Sequence, residues 1–294
     1  MPHEVELLVD AKAGVGEGPI WDVRRQVLVW VSILAGEIHI YDPATKQDRV
    51  IDVGQQPGTV VMRKSGGMML GVEKGFAAFD PDTGKLDIWS DPESDKPGNR
   101  FNDGKCDPAG RFWAGTMAYD GDKVTGSLYC LDTDGTVRKM VDGVTISNGI
   151  AWSTDGRTMY YIDSIFPRVD GFDYDVETGR IENRRTVIQV PQPREGVLPD
   201  GMTIDAEGNL WVAFWGGSSV VCFDPRTGKT LDRVDLPVSQ VSACWFGGPD
   251  LMDLYITTAR QGMDDAQLAC EPLAGALFRA RPGARGVEAV EFGG

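Results

Sequence analysis

Four short stretches of this 294-residue chain place an oxygen-bearing side chain directly before a glycine: Glu17-Gly18, Asp103-Gly104 with Asn102 in front of it, Asn148-Gly149 and Asp200-Gly201. Carboxylates and amides are hard donors, and a set of them brought to one point is unsatisfied or self-repelling unless a cation lies between them. Oxygen-only donors suit Ca²⁺, Mg²⁺ and Mn²⁺, and also accept Zn²⁺ or Fe²⁺. Glu17, Asn148 and Asp200 are therefore expected to ligate one divalent metal ion, with water completing the shell. Taken singly, each pair also reads as an ordinary turn, because Asp-Gly and Asn-Gly are turn dipeptides. What sets these four apart is that they hold the same place in a repeat, while the other turns follow different patterns.

A denser cluster, Asn99-Arg100-Phe101-Asn102-Asp103-Gly104-Lys105, precedes Gly115-Thr116-Met117 and Asp120. Arg100 and Asn102 offer donors for the hydroxyl or carbonyl oxygens of a polar substrate, arginine as a rigid fork; the plainer alternative for Arg100 is pairing with neighbouring acids. Other chemistries lack material. Only two histidines exist, His3 and His39, so histidine triads and HExxH zinc sites are excluded. Gly14-Val15-Gly16-Glu17-Gly18 leads into Pro19 and a strand rather than a helix, unlike a dinucleotide fingerprint. Gly228-Lys229-Thr230 lacks the earlier glycine of a phosphate loop, Phe223 standing in its place. The five cysteines are odd in number, widely spaced and without a CxxC pair, which argues against a disulfide framework or a thiolate zinc site.

The elements that must position these residues are visible as a repeat. Six segments start near Gly16, Pro57, Phe101, Ser147, Pro199 and Ser242, a spacing of about 40 to 50 residues that is the period of a propeller blade. Each contains three short apolar runs divided by two families of turn. One family is DPAGRFW, STDGRTMYY and DAEGNLW; the other is DPDTGK, DVETGR and DPRTGK. A fourth strand fits the stretch that follows, such as Leu86–Trp89 or Thr186–Val190. The expected fold is all-β, a six-bladed β-propeller of four-stranded blades forming a single domain over residues 1–294, with Val5–Val9 supplying the outer strand of the last blade. A β-sandwich or jelly roll does not predict a repeat sustained six times. The first strand of each blade lines the central channel, so side chains at its start converge on one mouth although far apart in sequence.

Composition bounds the partners. A net charge of −15 argues against nucleic acid and anionic membrane surfaces, which need a basic face. The longest apolar stretch, Val27–Leu34, is too short to span a bilayer, and the N-terminus lacks a basic region followed by an apolar run, so the chain reads as cytoplasmic. Small polar molecules and cations are the expected partners; the oligomeric state is left open.

The stretches RFNDGKCDPAGRFWAGTM, ISNGIAWSTDGRTMYYIDS, DGFDYDVETGRIENRRTV and LPDGMTIDAEGNLWVA together resemble the senescence marker protein/gluconolactonase (regucalcin-like) family, from Gly16 to about Ala280. The resemblance implies a six-bladed propeller with one divalent ion at Glu17, Asn148 and Asp200. It also implies substrate oxygens held by Arg100 and Asn102, with Asp103 close by. Family members open sugar lactones such as glucono-1,5-lactone to aldonic acids, and a calcium-binding regulatory role is also described. Where the family carries a substrate-contacting glutamate after GTMA, this chain reads Tyr119-Asp120-Gly121. Asp120 is one methylene shorter, and a shifted substrate preference is the expectation. On this reading Asp200 is the general base, with Asp103 or a metal hydroxide as the alternative because a metal-bound carboxylate is a weak base. An aryl-ester or phosphotriester hydrolase on the same metal geometry, and a non-catalytic calcium-binding protein, are the competing functions.

Overall fold

A computed structural model describes residues 2–190 and 195–294. Six four-stranded antiparallel sheets are arranged as a six-bladed β-propeller. The innermost strands are Gly16–Asp22, Pro57–Met62, Asn99–Cys106, Ser147–Trp152, Leu198–Ile204 and Val241–Gly247, and each begins one blade. Inner strands are buried on both faces, as in Pro57–Met62 and Ser147–Trp152. Outer strands such as Gln47–Asp52 alternate exposed with half-buried residues. That gradient follows from radial packing, because the apolar faces of neighbouring blades press together near the axis and splay apart at the rim. Aromatic pairs cross these interfaces: Phe76 with Phe101 at 4.7 Å between centroids, Trp113 with Trp152 at 5.9 Å, Trp211 with Phe246 at 5.6 Å and Trp21 with Tyr255 at 5.6 Å.

The sixth blade closes the ring as expected from the N-terminal sequence. Val5–Val9 pairs antiparallel with Leu277–Ala280, Val5 opposite Ala280 and Leu7 opposite Phe278, and Arg279 Nε donates to Glu6 at 3.1 Å. Deleting residues 2–10 would leave Leu277–Ala280 as an unpaired sheet edge. The midpoint of thermal unfolding, followed by circular dichroism, is expected to drop by roughly 5–10 °C, as befits the loss of a few kcal/mol in a chain of this size. An unchanged midpoint would show the latch to be dispensable.

Most turns of the two families hold together through their first aspartate; in STDGRTMYY, Ser153 takes that place and its hydroxyl accepts from the N–H groups of Arg157 and Thr158. Asp107 accepts from the backbone N–H of Ala109 and Arg111 and from Trp113 Nε1, and Asp205 does the same with Glu207, Asn209 and Trp211 Nε1. The outer turns repeat a smaller version, in which Asp80 and Asp224 accept from the hydroxyls of Thr83 and Thr227.

Two elements lie outside the repeat. A short helix, Asp265–Cys270, sits in the sixth blade between Asp253–Thr258 and Leu277–Ala280, opened by a capping box between Asp264 and Gln267. The C-terminal segment forms a strap. Gly286 bridges Asp205 of the fifth blade, and six residues later Phe292 bridges Arg63 of the second, on the opposite side of the ring. The strap thus crosses the face carrying the turns after the first strands, which we call the rear. Among the described residues no helix is long and apolar enough to cross a membrane.

Candidate metal and substrate site

All six innermost strands break register at the same level, between Glu17 and Ile20, Pro57 and Thr59, Phe101 and Gly104, Asn148 and Ile150, Pro199 and Met202, and Val241 and Ala243. Bulges of this kind re-aim side chains. The accompanying glycines answer to packing around the channel. A Cβ on Gly149 would lie 2.8 Å from Asp200 O, and one on Gly58 only 2.3 Å from Phe101 O. Gly58 follows Pro57, which carries no side-chain oxygen, so glycine here is architectural and the residue before it carries the chemistry.

Glu17, Arg100, Asn102, Asp120, Asn148 and Asp200 line one front cavity of about 280 Å³. Five of them are buried; Asp120 alone is exposed, at the mouth, bound to Lys123. Asp103 lies elsewhere. It lines a narrow space deeper in the channel with Gly18, Lys105 and Trp245, so in the third blade Asn102 faces the cavity and its neighbour does not. An amide relay joins the blades: Arg100 Nη1 donates to Asn102 Oδ1 at 2.8 Å, Asn102 Nδ2 to Asn148 Oδ1 at 2.8 Å, and Asn148 Nδ2 to Ser164 Oγ at 2.7 Å.

Sequence reasoning missed Ser164, which ends that relay, together with Tyr119 and Trp215 on the cavity wall. Tyr119 is held by donating to Glu73 Oε1 across to the second blade at 2.6 Å. The only available sign of Ser164 and Trp215 was their place at the end of second strands, beside the channel mouth.

The electrostatics call for positive charge. Burial, and then the charge of Asp103, push the Glu17 carboxyl up to about 8. Asp200 is raised well above the carboxylate range by burial and by Glu17 and Asp103. Burial also raises Asp103, opposed by Lys105 and the Gly104 N–H. Asp200 Oδ1 and Asp103 Oδ2 are buried without a hydrogen-bond partner. Two cations stand nearby, Lys105 deeper in the channel and Arg100 on the cavity wall, and burial of Arg100 disfavours its charge. Among the described residues no three histidine, cysteine, aspartate or glutamate side chains form a metal-holding group. The cavity set instead combines two carboxylates with amide oxygens, and the orphaned Asp200 oxygen fits a hard divalent ion better than it fits an empty pocket.

The pH dependence of stability follows. With raised carboxyls, the metal-free folded protein holds protons that the unfolded chain has already released. The stabilising contribution of Glu17 is therefore complete below the usual glutamate value of 4.5 and is lost as pH climbs towards about 8. The urea midpoint of chelated protein is expected to fall across that window, and a divalent ion is expected to reverse the fall with an affinity that grows with pH. A Glu17→Gln protein should show a flatter profile; an equally steep one would remove Glu17 as the cause.

Three comparisons bear on this site. A family model described as SMP-30/gluconolactonase/LRE-like region matches residues 15–260. The chain is similar to a regucalcin from Danio rerio, with 43% identity and 99% of each chain covered. It is also similar to the solved structures of a luciferin-regenerating enzyme, with 35% identity, a TM-score of 0.92 and 99% of each chain covered, and of a calcium-binding protein, regucalcin, from Agrobacterium tumefaciens, with 29% identity, a TM-score of 0.94 and coverage of 99% and 98%.

Proposed function

Because the chain belongs to the SMP-30/gluconolactonase/LRE-like family, we propose that it is a divalent-metal-dependent hydrolase that opens a sugar lactone to the aldonic acid. The observation that carries this reading is a buried carboxylate, Asp200, with an oxygen lacking any partner, in one cavity with Glu17, Asn148 and the donors of Arg100 and Asn102. Glu17, Asn148 and Asp200 would hold the ion. When bound, it supplies Lewis-acid polarisation of the lactone carbonyl.

The remaining work falls to side chains. Asp200, a buried carboxylate with an oxygen that no protein group engages, accepts the proton of the attacking water. Asp103, deeper in the channel, supports this at a distance rather than touching substrate. Arg100 spends only Nη1 on Phe101 O and Asn102 Oδ1, leaving the rest of its fork for ring oxygens. The relay through Asn102, Asn148 and Ser164 fixes amide orientation before substrate arrives, which is where positioning gains its rate. At the mouth Asp120, held ionised by Lys123, accepts from a ring hydroxyl.

The test is a pH-indicator assay on chelated protein, adding back Mg²⁺, Mn²⁺, Zn²⁺, Fe²⁺ or Ca²⁺ against five- and six-carbon aldonolactones, aryl esters and a phosphotriester. Metal-restored lactone turnover is expected. Larger kcat/KM for the esters would redirect the assignment to an ester hydrolase. The calcium-binding description of the Agrobacterium relative favours one second reading, a non-catalytic calcium binder; it predicts Ca²⁺ binding with no turnover under any of the five ions.

A further inference from the structure

Five of the six blades lend side chains to the wall of the front cavity, and among the described residues the second blade lends none. Its side is closed from the third blade. Tyr119 directly follows the strand Phe112–Ala118, with its backbone N–H bound to Gly98 O at 3.0 Å, and its side chain reaches across to the second blade. The hydroxyl donates to Glu73 Oε1 at 2.6 Å, and Glu73 is fixed in turn because Oε2 accepts from the Gln56 N–H at 3.1 Å. Glu73 stands outside the cavity wall but within electrostatic reach of Arg100.

The anchoring is costly for its place. Tyr119 is 44% exposed, and an exposed side chain ordinarily samples several rotamers. Fixing it costs side-chain entropy, while a hydrogen bond at the surface returns little net stability. The bond nevertheless persists across the working pH range, because burial and Glu73 push the phenol up to about 12 and keep it a donor. With its hydroxyl engaged, the side chain offers the cavity its open ring. Arg100, whose spare donors suit the oxygens of a substrate ring, lies close to that phenol. A polyhydroxylated lactone carries its oxygens around its edge and C–H groups on its faces. Those C–H groups are slightly positive and pack on the negative face of an aromatic ring. A ring whose edge is held by Arg100 therefore has a C–H face left for Tyr119.

We propose that Tyr119 is a specificity-determining substrate contact, closing the second-blade side of the cavity against the C–H face of the lactone ring, and that Glu73 is the positioning residue that holds it there. This rests on the hydrolase reading and adds to it a contact that touches no reacting atom.

The experiment measures kcat and KM for glucono-1,5-lactone with the activating ion, together with the inhibition constant of glucono-1,5-lactam, which keeps the ring and resists hydrolysis. Tyr119→Ala is expected to raise KM and the inhibition constant by about 3- to 10-fold, the worth of one aromatic face, and to leave kcat within about twofold. Tyr119→Phe and Glu73→Ala keep the ring but release it, so each should raise both constants by about 2- to 4-fold as the productive orientation becomes one of several. In a Tyr119→Ala background Glu73→Ala should add nothing, because its effect passes through the ring. The thermal midpoint of each variant should stay within about 2 °C of the parent, as befits a surface hydrogen bond. A direct readout comes from full-length protein carrying 3-fluorotyrosine at its seven tyrosines. The Tyr119 fluorine signal, assigned by its loss in Tyr119→Phe, should shift saturably with the lactam. The contact is overturned if Tyr119→Ala leaves both constants unchanged or if its fluorine signal ignores a lactam that inhibits turnover. The positioning role is overturned if Glu73→Ala has the same effect with and without the ring, which would mean that Glu73 acts on Arg100 instead. Turnover by the parent with KM unchanged in Tyr119→Ala defeats this proposal alone, whereas a parent that opens no lactone with any divalent ion and whose Tyr119 signal ignores the lactam defeats the hydrolase reading with it.

Discussion

An Asp200→Asn protein is expected to lose lactone turnover by about 1000-fold or more while becoming more resistant to urea in its metal-free form. The two effects share one cause. Asp200 is buried, its Oδ1 has no partner, and its carboxyl is raised by burial and by Glu17 and Asp103. Ionising it without a counter-ion costs folding free energy, and the neutral amide removes that cost above the ordinary carboxylate range. The same replacement removes a charged ligand and a proton acceptor; loss of general base function alone is worth about 10²–10⁴ in rate. Calorimetric titration with the activating ion separates the contributions. If metal affinity stays within about threefold while kcat collapses, the proton role dominates; if affinity collapses and excess metal restores kcat, the ligand role does. Turnover within threefold of the parent at saturating metal would end the assignment of Asp200.

Asp107→Ala should be the most destabilising single replacement on the opposite face. Asp107 is fully buried, and one carboxylate serves five donors: two backbone N–H groups, Arg111 Nη1 at 3.0 Å, Trp113 Nε1 at 2.9 Å and Tyr174 OH at 2.7 Å. Removing it leaves an indole and a phenol without their acceptor and a buried guanidinium with Asp132, at 3.3 Å, as its remaining carboxylate. Breaking a buried ion pair from one side costs about 3–5 kcal/mol, or roughly 6–20 °C in the thermal midpoint for a chain of this size. Asp205 provides the internal control. It holds the corresponding turn and Trp211 but pairs with no cation among the described residues, its further partner being Asn209 Nδ2 at 3.1 Å. Asp205→Ala should therefore cost clearly less than Asp107→Ala in urea or thermal unfolding. Equal losses would mean that turn geometry, not the Arg111 pair, governs the effect. Because Asp107 lies outside the front cavity, kcat per folded molecule should be little changed.

The repeat, its turns and its closure were legible in the chain because they are local or periodic. An aspartate two to six residues before the donors it serves writes its turn directly into the sequence, as Asp107 and Asp80 do. Alternation marks a strand, and a spare apolar run at the N-terminus has one unfilled edge to join, which Val5–Val9 does. The oxygen-bearing residues before the channel glycines were also found this way, since Glu17, Asn148 and Asp200 recur at one level of the repeat and line one cavity.

Tertiary structure alone decided which of two adjacent residues faces that cavity. Asn102 and Asp103 are equally suited as donors, and side chains in a strand alternate sides, so a one-residue bulge between Phe101 and Gly104 determines which of them is aimed at the front cavity. The roles of Ser164 and Trp215 likewise depend on where the ring brings second strands to its mouth. The strap across the rear of the ring also joins residues far apart along the chain, Gly286 to Asp205 and Phe292 to Arg63. Short-range rules of backbone geometry set the elements, whereas the closure of six blades about one axis, which no local stretch encodes, set what meets at its two ends.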